Sequence, residues 1–292
     1  MSDLRQPTRQ DAIVSSVVLV LAFLGWFFAP SVKDFIKSDP APLEVNLKDA
    51  PNAPKNGPLF GYVIILDAGH GGLDPGAHGK FRGKEVYEAP YVMDVTRRIV
   101  PLLKSRGAIV YLTRHNPDNA SGQINNSPPS EVLPLTRNDV FTSDESQVRG
   151  GSDGMEQRLT TAREGPRLHP KHKLVFVSIH FDAEPSKLQG VYVIVPEGKR
   201  PQTATNLLET FGEVKRLRKR KEGLTWKPYH PVLVNGAARN LYILRGDKNP
   251  IAERVLIELG NFGNKDDVWR IRNPDIRQQY AEAITAGLER LQ

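Results

Sequence analysis

Short apolar runs alternate along most of this chain with longer stretches in which apolar residues return every three or four positions. Runs such as Tyr62 to Leu66 and Leu174 to Ile179 are continuous rather than alternating, as expected for strands covered on both faces. On this basis strands are predicted near 62–66, 109–113, 174–179, 190–195, 240–244 and 254–258. Helices are predicted near 88–105, 156–165, 202–219 and 275–290. In the first helix Val92, Val95, Ile99 and Leu102 share one face, and Pro90 suits its first turn; Pro101 is expected to kink this helix or end it early. In the last, Ile276, Tyr280, Ile284 and Leu288 recur behind Pro274. The alternation predicts one α/β domain over 59–292, with a central mostly parallel or mixed sheet of about six strands flanked by helices. No internal repeat is found.

Two stretches break the pattern. Residues 116–154 are rich in Ser, Asn, Asp, Pro and Gly and far exceed an ordinary connection, so they are expected to be disordered or, with apolar islands at Val132, Leu133, Leu135, Val140 and Phe141, a lid. At the other extreme, Ala12 to Ala29 carries no charge and is about as long as the ~18 residues a bilayer core requires. Trp26, Phe27, Phe28 and Pro30 stand where a cleaved leader would have small residues. An uncleaved transmembrane anchor is therefore expected over 12–30, behind a short cytoplasmic N-terminus at 1–11. A Pro-rich linker follows over 31–58, with Pro40, Pro42, Pro51, Pro54 and Pro58 stiffening it.

The formal charge of +7 comes partly from KRLRKRK at 215–221. Such a run is usually a solvated helix end. Nucleic-acid binding is a poor reading because no aromatics are interleaved; attraction to anionic lipid or polymer fits better. The chain has no cysteine, which agrees weakly with life outside the cytoplasm without disulfides.

The candidate chemistry sits at strand ends. YVIILDAGHGG leads an apolar strand into a glycine-rich turn presenting His70, VFVSIH delivers His180, and RVLIELG carries Glu258 within an apolar run. In open α/β sheets the carboxyl ends of the strands form the ligand crevice. Two histidines and a carboxylate are costly to leave unpaired there, and a divalent cation satisfies them together.

Five blocks in this order, DAGHGGLDPGA at 67–77, LTR at 112–114, SIHFDA at 178–183, LYILRG at 241–246 and IELGNFGN at 257–264, resemble the zinc-dependent N-acetylmuramoyl-L-alanine amidases of bacterial cell walls. The resemblance covers roughly residues 60–290. It implies Zn2+ as cofactor, His70 and His180 as zinc ligands, and Glu258 as the catalytic carboxylate. The family's third ligand is a glutamate just before the helix after the histidine turn. Glu88 and Glu85 compete for that place, and the helix start and the distance to LTR favour Glu88. Arg158 and Arg245 match family arginines, which implies either substrate contacts or structural salt bridges. Asp67 and Asp74 are expected to brace the turn, and His78 to be a surface residue. No HExxH is present, against a thermolysin-like site.

The implied activity is hydrolysis of the amide between N-acetylmuramic acid and L-alanine of the stem peptide, with peptidoglycan as partner. Flanking charge does not orient the apolar segment, but wall hydrolysis requires a catalytic domain outside the cytoplasm, so a single-pass location in the cytoplasmic membrane facing periplasm or wall is expected. The alternatives are a non-catalytic wall-binding or regulatory relative, which would be expected to have lost one of the four site residues, and a zinc carboxypeptidase, which would not share this block order.

Overall fold

A computed structural model describes residues 56–119, 121–183, 189–196, 198–214 and 241–292. In chain order the elements are β1 (Tyr62–Ala68), the hairpin β2 (His78–Phe81) and β3 (Lys84–Tyr87), α1 (Glu88–Lys104), β4 (Ile109–Leu112), β5 (Arg114–His115), β6 (Val140–Phe141), α2 (Gly151–Leu168), β7 (Lys173–Asp182), β8 (Tyr192–Ile194), α3 (Gln202–Glu213), β9 (Glu253–Asn261), α4 (Lys265–Arg272) and α5 (Pro274–Glu289). Five strands form the central sheet in the order β4-β1-β7-β9-β8. Four of them run parallel and β8 pairs antiparallel at the edge.

Every residue of β1 is buried, which explains its unbroken apolar sequence. One face of the sheet packs Ile64, Leu66, Val177 and Ile257 against Val92, Val95 and Ile99 of α1, Leu207 and Phe211 of α3, and Tyr280 and Ile284 of α5. The other face packs Val63, Ile65, Phe176 and Leu256 against Leu159 and Ala162 of α2 and against Ile243, Leu244 and Ile251. Helices thus cover both faces. The chain leaves β1 through α1 to reach β4 on one side, and returns through α2 to β7 on the other side of β1. The strand order therefore reverses between β1 and β7, and at such a switch point the strand ends splay into a crevice.

Several expectations need correcting. Among the described residues the sheet has five strands rather than about six, because Tyr242–Leu244 is a 3-10 turn. The carbonyls a ladder would need are taken instead by side chains: Asn249 Nδ2 donates to Ile243 O at 3.1 Å and Arg254 Nε to Leu244 O at 2.8 Å. Helix α4 was not anticipated, although Asn264 caps it by accepting from the N–H groups of Asp266 and Asp267. Pro101 does not shorten α1, which runs on to Lys104. The described part of 116–154 is folded rather than disordered, with Leu133, Asp139, Phe141, Thr142 and Val148 buried. Its main-chain groups are also used: Leu133 N–H donates to the Tyr91 hydroxyl at 3.0 Å, and Asn125 O accepts from Arg98 at 2.7 Å and Arg277 at 2.9 Å.

The expected membrane-spanning location is corrected too: among the described residues no helix is long and apolar enough to cross a membrane. The 12–30 segment, most of the 31–58 linker and the basic run 215–221 lie outside the described residues, as does the tail of the helix expected over 202–219.

Candidate metal centre

The switch point is where the candidate residues converge. His70 follows the end of β1 by two positions, Glu88 opens α1, and His180 lies near the end of β7. Their ligand atoms all fall within 4.8 Å of one another. His70 Nε2 is 3.1 Å from Glu88 Oε2, His180 Nδ1 is 3.1 Å from Glu88 Oε1, and the two imidazole nitrogens are 3.2 Å apart. Donors about 2.0–2.1 Å from a tetrahedral zinc would themselves be roughly 3.3 Å apart, so two imidazoles and a carboxylate at these spacings fit that ion.

The turn is shaped to allow this approach. A Cβ on Gly69 would lie 2.3 Å from His180 Cε1, and one on Gly76 would lie 2.7 Å from both Glu88 Oε2 and His70 Cγ. Both positions are hollows that any larger residue would fill with its own side chain. His70 itself has φ 58, a left-handed conformation that costs a non-glycine residue about 1–3 kcal/mol and persists only where surroundings hold it.

Those surroundings are polar and close. Asp74 Oδ2 lies 2.9 Å from His70 Nδ1, and its Oδ1 accepts the Gly76 N–H at 3.1 Å. A proton on Nδ1 shared with Asp74 would leave Nε2 to face Glu88 and His180, the arrangement that outer carboxylates impose on metal-binding histidines. Glu88 is fixed by its own acceptor bonds, from Ala77 N–H at 2.8 Å to Oε2 and from Phe181 N–H at 2.9 Å to Oε1. Glu85 instead lies in β3 and pairs with Lys80 at 3.7 Å.

Electrostatically the cluster favours positive charge at its centre. Burial works against a charged His70, but hydrogen bonds to Asp74 and Glu88 raise its pKa to about 9. Burial would likewise raise Glu88, yet the hydrogen bonds from His180 and His70 outweigh it and hold the carboxyl well below the usual range. A field that holds protons so firmly also suits a cation.

Glu258 stands beside this group. In the parallel ladder it is the register partner of His180, and in the antiparallel one it is the partner of Tyr192. Register partners project to the same face of a sheet, so His180, Glu258 and Tyr192 form a row across β7, β9 and β8. The Tyr192 hydroxyl in turn donates to Asp182.

Arg158, expected either at substrate or in a salt bridge, is buried and makes the salt bridge: its Nη1 donates to Asp67 Oδ1 at 2.9 Å and Ala68 O at 2.7 Å, and its Nη2 to His70 O. Arg245 is half-exposed over the Tyr242 ring and paired with Asp247 at 2.7 Å. Asp67 braces the end of β1, accepting from Thr113 at 2.6 Å and Ser178 at 2.5 Å. His78 is exposed and stacks on Tyr87. Arg114 and Asp139 were overlooked in the sequence. Arg114 falls inside the LTR block, whereas nothing around Asp139 marks it.

The family model described as N-acetylmuramoyl-L-alanine amidase matches residues 64–290. An uncharacterized cell wall amidase of Bacillus anthracis is 26% identical over 235 residues, covering 80% of this chain and 36% of that protein. The Staphylococcus aureus protein named "Probable cell wall amidase LytH" is 27% identical over 244 residues, covering 82% of this chain and 62% of its own length. This chain thus spans about a third and three fifths of those two relatives. Among solved structures, the CwlD amidase of Clostridioides difficile, in complex with the GerS lipoprotein, superposes with a TM-score of 0.50 at 25% identity, covering 78% of this chain and 96% of that one. The match of the family model over residues 64–290, most of the chain, places this chain in the N-acetylmuramoyl-L-alanine amidase family.

Proposed function

We propose that this chain hydrolyses peptidoglycan at the amide between the lactyl group of N-acetylmuramic acid and L-alanine of the stem peptide. His70, Glu88 and His180 would hold a zinc ion and Glu258 would move the proton. The observation that carries the reading is the set of three donors within 4.8 Å at the β1–β7 crevice, with Glu258 in register beside His180. Three protein ligands of this kind are the count found in catalytic rather than structural zinc sites. When bound there, the ion supplies Lewis acidity, lowering the pKa of water to about 7 and polarising a carbonyl.

The chain's own residues do the rest. Glu258, half-buried on β9, takes a proton from the attacking water as the new C–O bond forms. It returns that proton to the amide nitrogen as the C–N bond breaks, because an unprotonated amide anion is a very poor leaving group. The products are a lactyl carboxylate and a stem peptide with a free L-alanine ammonium. Asp74 keeps His70 in the required tautomer, and Arg158 holds the carbonyls of Ala68 and His70 so that the turn cannot relax.

Mass spectrometry of purified peptidoglycan after digestion tests the bond assignment. Stem peptides beginning with free L-alanine, together with glycan that has lost its peptides, are expected. Products trimmed only at the D-alanine end would instead identify a carboxypeptidase, and unchanged polymer a non-catalytic relative.

A further inference from the structure

The segment 133–148 has no part in the reaction as described, yet it lies against the metal turn over much of its length. Gly72 N–H donates to Thr136 O at 3.1 Å and Leu73 N–H to Val148 O at 2.8 Å, so the two residues after His70 and Gly71 hang from this segment. Approach is tight, since a Cβ on Gly72 would fall 2.2 Å from Val148 O. Phe141 lies under the guanidinium of Arg158, 5.7 Å from its ring centroid.

The strongest link is ionic. Arg114 and Asp139 are both fully buried and paired. Arg114 also donates to Ala68 O at 2.7 Å, Gly69 O at 2.9 Å and Ala89 O at 3.1 Å. One guanidinium thus grips the residue before His70 and the residue after Glu88. Asp139 is held in turn by Asn116 at 2.9 Å and by the Thr136 hydroxyl at 2.7 Å, while its carbonyl takes the Val148 N–H at 2.9 Å. The left-handed His70 needs such external support.

We propose that residues 133–148 form an internal brace that sets the spacing between His70 and Glu88, with Asp139 as a positioning residue acting through Arg114. The brace rests on the metal reading given above. It follows that the segment and the metal are thermodynamically linked: if the brace favours binding, binding must stabilise the brace to the same extent.

The test uses the full chain with zinc and two readouts. Zinc affinity is measured by competition with a chelating dye for the parent, Asp139→Asn and Asn138→Ala, the last being an exposed neighbour. Hydrogen exchange at 133–148 is followed with and without zinc. Asp139→Asn should bind zinc about 10-fold or more weakly, the scale of outer-shell losses, while Asn138→Ala stays at the parental value. In the parent, zinc should slow exchange at Leu73, Thr142 and Val148, and in Asp139→Asn that slowing should shrink. If Asp139→Asn does not fold, the parental exchange experiment decides alone. Parental affinity in Asp139→Asn, or exchange at 133–148 indifferent to bound zinc, would overturn the brace. A parent that binds no zinc at all would instead overturn the metal reading.

Discussion

His180 and Glu258 are register partners across the parallel β7–β9 ladder, one belonging to the candidate metal cluster and the other not. The two roles should separate by mutation. Glu258→Gln keeps volume and hydrogen-bonding shape but cannot accept a proton. Zinc content and thermal stability should stay near parental values while wall hydrolysis falls about 100-fold or more. Hydrolysis within a few-fold of the parent would assign the base elsewhere, and loss of zinc would make Glu258 a ligand.

The two glutamates of the hairpin region give a second contrast. Glu88 is buried between the imidazoles, whereas Glu85 sits on β3 with Lys80. Glu88→Ala should abolish stoichiometric zinc and Glu85→Ala should retain it, as read by metal analysis of the purified proteins. The reverse pattern would transfer the ligand to Glu85.

Asp74 is expected to matter through His70 rather than through the fold. Asp74→Ala removes the acceptor at Nδ1 and should weaken zinc binding by about 10- to 100-fold, with Asp74→Asn intermediate because an amide oxygen can still accept. Equal zinc affinity in all three proteins would show that His70 is held by the backbone alone.

Much of this was legible in the sequence because the relevant signals are local. Continuous apolar runs marked β1, β7 and β9, and the spacing of Val92, Val95 and Ile99 marked α1. His70 and His180 could be read as converging because strand ends in such sheets share one crevice. The errors arose where structure is set by distant partners. LYIL looks like a strand, yet Asn249 and Arg254 divert its carbonyls. The polar composition of 116–154 suggested disorder because nothing local tells that Asp139 meets Arg114 or that Arg272 reaches Pro129 O. A polar residue that is buried and paired has the same letter as one in water.

Asp67 should make stability pH-dependent. Burial pushes its carboxyl up, but Arg158, His180 and the hydroxyls of Ser178 and Thr113 together outweigh burial and hold it below its ordinary 3.8. A folded-state value below the unfolded one means that the contribution is complete above the ordinary value and is lost as pH falls towards the folded one. Asp67→Asn should cost about 3–5 kcal/mol at pH 7, as for breaking a buried pair, and its deficit against the parent should shrink as the pH drops below 3.8. Denaturant titrations across that range check the sign. A deficit that grows on acidification would contradict it.

Gly69 tests the cradle sterically. A Cβ there would meet the His180 ring at 2.3 Å, so Gly69→Ala should displace the imidazole and weaken zinc binding without removing any donor. Unchanged zinc affinity would mean that the ring has room the structure does not show.

The central claim, that this crevice cuts peptidoglycan by means of a metal held at His70, Glu88 and His180, is tested most directly by stripping the protein of metal with a chelator and adding zinc back, while counting stem peptides with a free L-alanine amino group. No release is expected from the stripped protein, with restoration on adding one equivalent of zinc and no restoration in His180→Ala. Release that continues after stripping, or that zinc restores equally well in His180→Ala, would contradict it.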